Sequence, residues 1–481
     1  MRVGQCSRSL VLGALVVAAG GRATSAQSLD ASTVVRIDSV FSRFTPETPG
    51  CAAGVYQNGR VAFAKGYGSS NIEYGVPITP RTPFIMGSVS KQFTAAAIAL
   101  HVQDGRIRLD DDVHKYVPEL PDYGKKITID QLVHHTSGLR DFWSLVDASG
   151  MRQDDGYTVA DVVKLASRQR HLNFDPGAEY NYSNTGYVLL GVLIHRVTGR
   201  FYGDVLRDSV FRPLGMTDSR VISEHDIVFN RADGYQLEER GLKNQEWVAP
   251  TLNTTADGAL YFTVRDLIRW AVALNHRGMV GAALLDTAWT PVRLSDGATY
   301  PYGFGWGIFE QHGHLRIAHS GSWQGFKTVI ARYPESGLTV IVLANLAQAQ
   351  VSAIAFGIAG IVDSTLAAPH LATRITGPPS APIRPLLDDV VNRPDIAHIT
   401  PRFRRFLSAG LVDDYRWLLT QQREWSAAGC DEVAGKGVVY LGASITRICY
   451  ARAARASGGG SIVTVLYDAE GRAAGIEGYG Y

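Results

Sequence analysis

The chain has 481 residues, 46% of them hydrophobic, enough to bury a large core and to divide into two or three domains. Its 47 basic and 45 acidic side chains nearly cancel, so no basic field is available for a nucleic-acid partner.

The N-terminus has the pattern of an export signal. Arg2 and Arg8 form a basic region, Leu10 to Ala19 an apolar one, and Thr24-Ser25-Ala26 a small-residue cleavage site before Gln27. Residues 1–26 are therefore expected to be a signal peptide and the mature protein periplasmic or secreted. The apolar run is shorter than the roughly 20 residues a spanning helix needs. No later segment qualifies, so no stable membrane span is expected. Cys6 leaves with the signal, and Cys51, Cys430 and Cys449 remain. Cys430 and Cys449 flank a candidate hairpin, where they either form a disulfide in an oxidising compartment or stay as buried thiols. Cys51 has no neighbouring base or metal ligand in sequence and is assigned to packing.

Cys51 to Tyr56 and Val61 to Ala64 read as a hairpin around the Asn58-Gly59 turn. Ser88 to Val102 reads as a helix that is apolar on nearly all sides, and so buried. Thr263-Val-Arg-Asp266 resembles a capping box and starts a helix through Trp270 and Leu274. His314 to Ala318, Lys327 to Tyr333 and Leu338 to Asn345 read as consecutive antiparallel strands, the last two joined by a turn over Pro334 to Gly337. Residues 27–366 are thus one mixed helix-and-strand domain. Crowded prolines make 367–400 an extended linker. The remainder, 401–481, reads as a small α+β module: a helix near Arg402 to Glu424, then strands at Gly437 to Leu441, Ser444 to Arg452 and Ser461 to Asp468.

Three short strings carry chemistry: Ser88-Val-Ser-Lys91, Tyr182-Ser183-Asn184 and His319-Ser320-Gly321. A serine hydroxyl needs a base to become a nucleophile. Ser88 and Lys91, three apart, share one helix face. A helix N-terminus favours a developing alkoxide and, with burial, disfavours a charged lysine. Lys91 can then take the Ser88 proton, directly or through Tyr182. A charged side chain in the first turn of an otherwise apolar helix calls for such a reason. Gly321 permits close backbone approach at a strand edge. The N–H groups of Ser88 and Ser322 supply an oxyanion hole. Taken singly, each residue also has a plain structural reading: Ser88 and Asn184 as helix caps, Tyr182 as packing, His319 as a structural histidine.

Together with Phe84 to Lys91, Leu109 to Leu120, Ile127 to Leu139, Val210 to Met216 and Tyr302 to Trp306, these strings resemble the serine β-lactamase-related family. That family includes class C β-lactamases, D-alanyl-D-alanine carboxypeptidases, D-aminopeptidases and lactamase-like esterases. The resemblance covers about residues 30 to 365. It implies an α+β, β-lactamase/transpeptidase-like fold: an antiparallel sheet flanked by helices, beside a mostly helical subdomain. It implies Ser88 as the acyl-accepting nucleophile, Lys91 and Tyr182 as the base pair, and Asn184, His319, Gly321 and Ser322 as substrate-binding. It implies no metal, no organic cofactor, and a small-molecule or peptide acyl substrate as partner.

One position departs from the lactamase pattern. His319 stands where those enzymes typically carry a lysine, and a mostly neutral imidazole holds a substrate carboxylate less well than a fixed cation. The expectation is an esterase, amidase or peptidase acting through an acyl-enzyme. The alternatives are a penicillin-binding protein or sensor that acylates with little turnover, and a class C-like β-lactamase. An α/β-hydrolase would need a Gly-x-Ser-x-Gly elbow, and Gly321-Ser-Trp-Gln-Gly325 has its serine one place early. The spacing of His312, His314 and His319 fits no zinc-hydrolase pattern. Trp143, Trp323 and Tyr302 are candidate walls of the cleft or ordinary core.

Overall fold

The computed structural model describes residues 29–480 except 151, 153–154, 156, 223–224, 239, 246–254, 277–281, 312–313, 368–382, 393–396, 408–415, 417–418, 420–421, 433–437, 441–442 and 456–459. The segment expected to be a signal peptide, most of the expected linker and the Gly458 turn therefore lie outside the described residues.

The centre is a six-stranded antiparallel sheet. Its strands are β1 (Cys51–Gln57), β2 (Arg60–Tyr67), β3 (Gly307–Gln311), β4 (His314–Trp323), β5 (Phe326–Tyr333) and β6 (Leu338–Ala344), in the order β3-β4-β5-β6-β1-β2. The two ends of the chain's main domain meet in its middle, where β1 pairs with β6 from Cys51↔Ala344 to Gln57↔Leu338. Asn58 and Gly59 both take positive φ, as a two-residue hairpin turn requires.

Side chains alternate between two cores. On one face Cys51, Ala53 and Val55 meet Val340 and Val342 under α1 (Ala31–Val40) and the C-terminal helix of the domain, Val351–Val362. Cys51 is fully buried there, which fits the packing role read from its sequence. On the other face Ala52, Tyr56, Ile341 and Leu343 meet α2 (Lys91–Gln103), α3 (Asn184–Thr198) and α4 (Val264–His276). Phe93 of α2 lies against the Phe262 ring at 4.3 Å and Trp270 of α4 at 4.6 Å. A Phe→Ala change in such a cluster costs about 3–5 kcal/mol. Half of the expected capping box forms: the Asp266 N–H donates to Thr263 Oγ1 at 3.1 Å. The Asp266 carboxylate instead accepts from Ser219 and Arg269.

A mostly helical region, with helices at Ile129–Val133, Phe142–Ser149, Val159–Ser167 and α3, stands beside the sheet. Ser183, not Asn184, caps α3, and Gly199 ends it in the left-handed conformation at φ 69°.

Two expectations for the C-terminal third are corrected. The range read as linker contains a helix, α5 (Ile383–Asn392), whose Ile383, Leu387, Val390 and Val391 are buried in the terminal module's own core. Pro385 is tolerated because it sits in the first turn, where N–H groups lack intrahelical partners. Of the helix expected over Arg402 to Glu424, Pro401–Phe406 and, further on, Arg416 and Leu419 are helical among the described residues, and strand β7 (Gln422–Glu432) begins inside that range. Strands β8 (Val438–Tyr440), β9 (Ala443–Arg455), β10 (Gly460–Asp468) and β11 (Ala473–Gly480) complete an antiparallel sheet. Cys430 and Cys449 are opposite each other in register and form a disulfide, Cα–Cα 4.0 Å. Tyr300 of the main domain packs against this module and stacks on Tyr180, ring centroids 3.6 Å apart.

Candidate active site

Ser88 lies on a one-turn 3-10 helix, Gly87–Ser90, that leads straight into α2. This turn is pressed against the end of β4, past Ala318, where its pairing with β3 stops. A Cβ on Gly321 would fall 1.9 Å from the Met86 carbonyl oxygen and 3.0 Å from Ser88 N, so only glycine fits. Gly87, at φ +53°, is held likewise: its Cβ would stand 2.6 Å from Ser322 N. The close approach expected of Gly321 is present.

The hairpin turn Gln324-Gly325 fixes which groups face the serine. Trp323 and Phe326 close a two-residue loop, with Gln324 and Gly325 both at positive φ. Such a loop makes its flanking pair the hydrogen-bonded one. Ser322, one residue on, then turns its N–H away from β5 and towards the Ser88 turn. The Ser322 amide thus lies beside the turn that carries Ser88.

Lys91 is fully buried. Its Nζ donates to Ser88 Oγ at 3.1 Å, Asn184 Oδ1 at 2.8 Å and the Asp257 carbonyl oxygen at 2.7 Å. An ammonium has three donors, and all are engaged. Burial pushes the Lys91 pKa down to about 8, against the opposing charges of Asp257 and Asp141. The apolar helix accommodates this lysine with all three of its donors satisfied inside the fold.

The Tyr182 ring packs against Lys91, Nζ 4.8 Å from its centroid. Its hydroxyl is buried and has no hydrogen bond of good geometry among the described residues. Burial holds the phenol well above its usual range, and the nearby Ser88 hydroxyl opposes that shift. Asn184 begins α3, and its backbone N–H donates to Asp141.

His319 is engaged on both sides of its ring: Nδ1 lies 2.7 Å from the Ser320 carbonyl and Nε2 3.0 Å from Tyr302 Oη. Burial, then the charge of Lys91, lowers its pKa to about 4. Tyr302 Oη also meets His135 Nε2 at 3.2 Å, and His135 Nδ1 accepts from Ser183 N–H at 3.1 Å. All seven site residues named from the sequence therefore cluster here. A cavity of about 270 Å³ opens over Ser88, with Asn184, Asp257 and Ser322 in its lining and Trp143 and Trp323 as its aromatic wall. Tyr302 is a hub beneath the cleft rather than a wall. Asp141 and Asp257 were not singled out from the sequence, since an isolated aspartate carries no local pattern. The segment Ile127 to Leu139, which holds His135, was the available signal for the histidine.

Residues 37–357 match the family model described as Beta-lactamase, well over half of the chain. The chain belongs to the β-lactamase family. It is 31% identical over 305 residues to Penicillin-binding protein 4* of Bacillus subtilis (strain 168), covering 60% of this chain and 66% of that protein. It is 29% identical over 338 residues to a D-aminopeptidase of Gluconobacter oxydans (strain 621H), covering 69% and 62%. The matches thus span just under two thirds of these relatives' length. Among solved structures, the octameric penicillin-binding protein homologue from Pyrococcus abyssi shares the fold at TM-score 0.60 and 23% identity, over 92% of this chain and 94% of that one. A D-amino acid amidase from Ochrobactrum anthropi SV3, complexed with L-phenylalanine amide, matches at TM-score 0.58 and 25% identity, over 70% and 97%. The β-lactamase/transpeptidase-like fold expected from the sequence is the fold observed. No described helix is long and apolar enough to cross a membrane.

Proposed function

We propose that the protein is an exported serine hydrolase that transfers the acyl group of an ester or amide to Ser88 and then to water. The observation that carries this reading is the 3.1 Å contact between Ser88 Oγ and a buried Lys91 Nζ whose pKa is about 8. About a tenth of such a lysine is neutral at pH 7, and the neutral amine accepts a proton.

Ser88 Oγ bonds to the substrate carbonyl carbon while its proton passes to Lys91 Nζ, directly or by way of Tyr182. The carbonyl oxygen becomes an oxyanion held by the Ser88 and Ser322 N–H groups. The carbon–leaving-group bond then breaks, and the leaving group takes the proton. Water attacks the acyl-enzyme by the same route in reverse and frees Ser88. Asn184 orients Lys91 and borders the acyl group.

The test is the intact mass of mature protein after incubation with short-chain activated esters and, separately, benzylpenicillin. A transient ester adduct, absent from Ser88→Ala, is expected, with little penicillin adduct. An adduct that survives Ser88→Ala removes the assignment. A lasting penicillin adduct instead selects a penicillin-binding role, in keeping with the Bacillus subtilis relative. Export is tested separately by N-terminal sequencing of protein recovered outside the cytoplasm, with Gln27 expected first.

A further inference from the structure

A second cavity, about 580 Å³ and more than twice the size of the one over Ser88, lies behind residues 255–257. Ala256 lines this groove, whereas Thr255 and Asp257 line the catalytic cavity. Its volume falls within the roughly 300–1,000 Å³ span of small-molecule sites. The groove runs between the helix Val159–Ser167 and α3, with Val163, Val188 and Val192 in its walls. Phe201 also lines it and is 42% exposed, a large apolar side chain left open to water. The walls are fixed from the catalytic side and cannot collapse inward. Asn184 at the start of α3 and the Asp257 carbonyl both accept from Lys91. Thr94 donates to the Ala256 carbonyl at 2.6 Å, and Tyr202 to that of Thr255 at 3.0 Å. Gly191 of α3 is already against Ala256: a Cβ there would stand 2.5 Å from the Ala256 Cβ.

The charges around the groove select its occupant. Of the cations lining it, Arg196 is bonded at both terminal nitrogens to Glu119, at 2.8 and 2.5 Å. His195 Nδ1 is turned to the Arg200 carbonyl at 3.1 Å. Among the described residues Lys164 forms no ion pair, and Asp161, which its charge reaches, is bonded to Thr158. An apolar groove with one uncommitted ammonium at its side matches a monoanion on an unbranched chain.

We infer that this groove binds a single-chain fatty-acid carboxylate, its alkyl chain along Val163, Val188, Val192 and Phe201 and its head at Lys164. The site is separate from Ser88 and stands whether or not that serine is acylated. Its occupant rests on two elements that hold Lys91, α3 and the segment 255–257.

The experiment is a calorimetric titration of the protein with octanoate, decanoate and dodecanoate, each below its micelle-forming concentration. Affinity should rise about fourfold per added methylene as the chain is buried. The wild type should bind dodecanoate about fivefold more tightly than dodecyltrimethylammonium, and Lys164→Glu should reverse that order. Val192→Trp, which fills the groove, should bind no dodecanoate while keeping a cooperative unfolding transition. Absence of binding by the wild type overturns the inference, as does an affinity independent of chain length. A head-group preference unmoved in Lys164→Glu overturns it as well. Binding that survives in folded Val192→Trp places the chain elsewhere and has the same effect. If Val192→Trp does not fold, Lys164→Glu, a change at an exposed position, decides.

Discussion

Tyr302 Oη lies 3.0 Å from His319 Nε2, and that contact fixes the proton on a histidine standing at the edge of the cleft. The Ser320 carbonyl beside Nδ1 only accepts, so Nδ1 carries the hydrogen and neutral His319 accepts at Nε2. At the far end the Ser183 N–H donates to His135 Nδ1, so neutral His135 donates from Nε2 to Tyr302. The chain runs one way, from Ser183 through His135 and Tyr302 to His319 and Ser320. Nitrogen-15 spectra at pH 7 should show His319 protonated at Nδ1 and His135 at Nε2. Tyr302→Phe strands both imidazoles and should lower kcat/KM about tenfold, since an unsatisfied buried group costs about 1–3 kcal/mol. The opposite tautomers would break this account.

These histidines also set an acid limit on stability. His319 titrates near pH 4 when folded and near 6.5 when unfolded, so between those values the unfolded chain binds more protons. Its contribution is full above pH 6.5 and declines as pH falls to about 4, by about 3 kcal/mol. His135 is lowered in the same direction, by burial first and then by Lys91. Denaturant midpoints measured from pH 7 to 4 should fall more steeply for the wild type than for His319→Asn. Parallel curves would show that His319 protonates freely in the native protein.

Lys91 titrates where activity is measured. Acylation, read as kcat/KM on an uncharged ester, should rise with pH and level off above about 8 as the amine becomes neutral. Lys91→Met should remove the rise and lower the rate by about 10³-fold or more. An unchanged profile in that variant would assign the titration to another group. Stability follows the same group: with a folded pKa below its unfolded value of 10.5, Lys91 destabilises the fold below pH 8, and the penalty fades as pH climbs to 10.5.

His319→Lys should raise kcat/KM on carboxylate-bearing donors about tenfold relative to uncharged ones, by supplying a cation at the cleft edge. Wild-type benzylpenicillin hydrolysis should be slow. Rapid hydrolysis by the wild type would show that the imidazole is no handicap.

Much of the site was legible because its chemistry is local in sequence. A serine and a lysine three residues apart need only one turn to meet, and the Gly321 edge needs only a strand. Asp257 was not legible: its main-chain oxygen meets Lys91 only because distant segments pack together. The helix expected over residues 402–424 runs too far at its end, because from Gln422 onward strand pairing with β9 outweighs local propensity. The cysteine pair was left open for a related reason, since register, not spacing, puts Cys430 opposite Cys449.

That disulfide closes a loop over a sequence separation of 19 and should stabilise the terminal module by about 3 kcal/mol. Alkylation of the unfolded, unreduced protein should label Cys51 and spare the pair. Labelling of all three before reduction would place the chain in a reducing compartment and count against export.

The enclosure of Lys91 has a consequence for exchange with solvent. Its ammonium is fully buried, and each hydrogen has a fixed acceptor. Surface lysines trade their protons with water too quickly to be seen one by one. Below pH 8 the Lys91 hydrogens should persist as a discrete signal and vanish when an acyl group on Ser88 removes one of the acceptors. The base would thus report, atom by atom, on the occupancy of its own nucleophile.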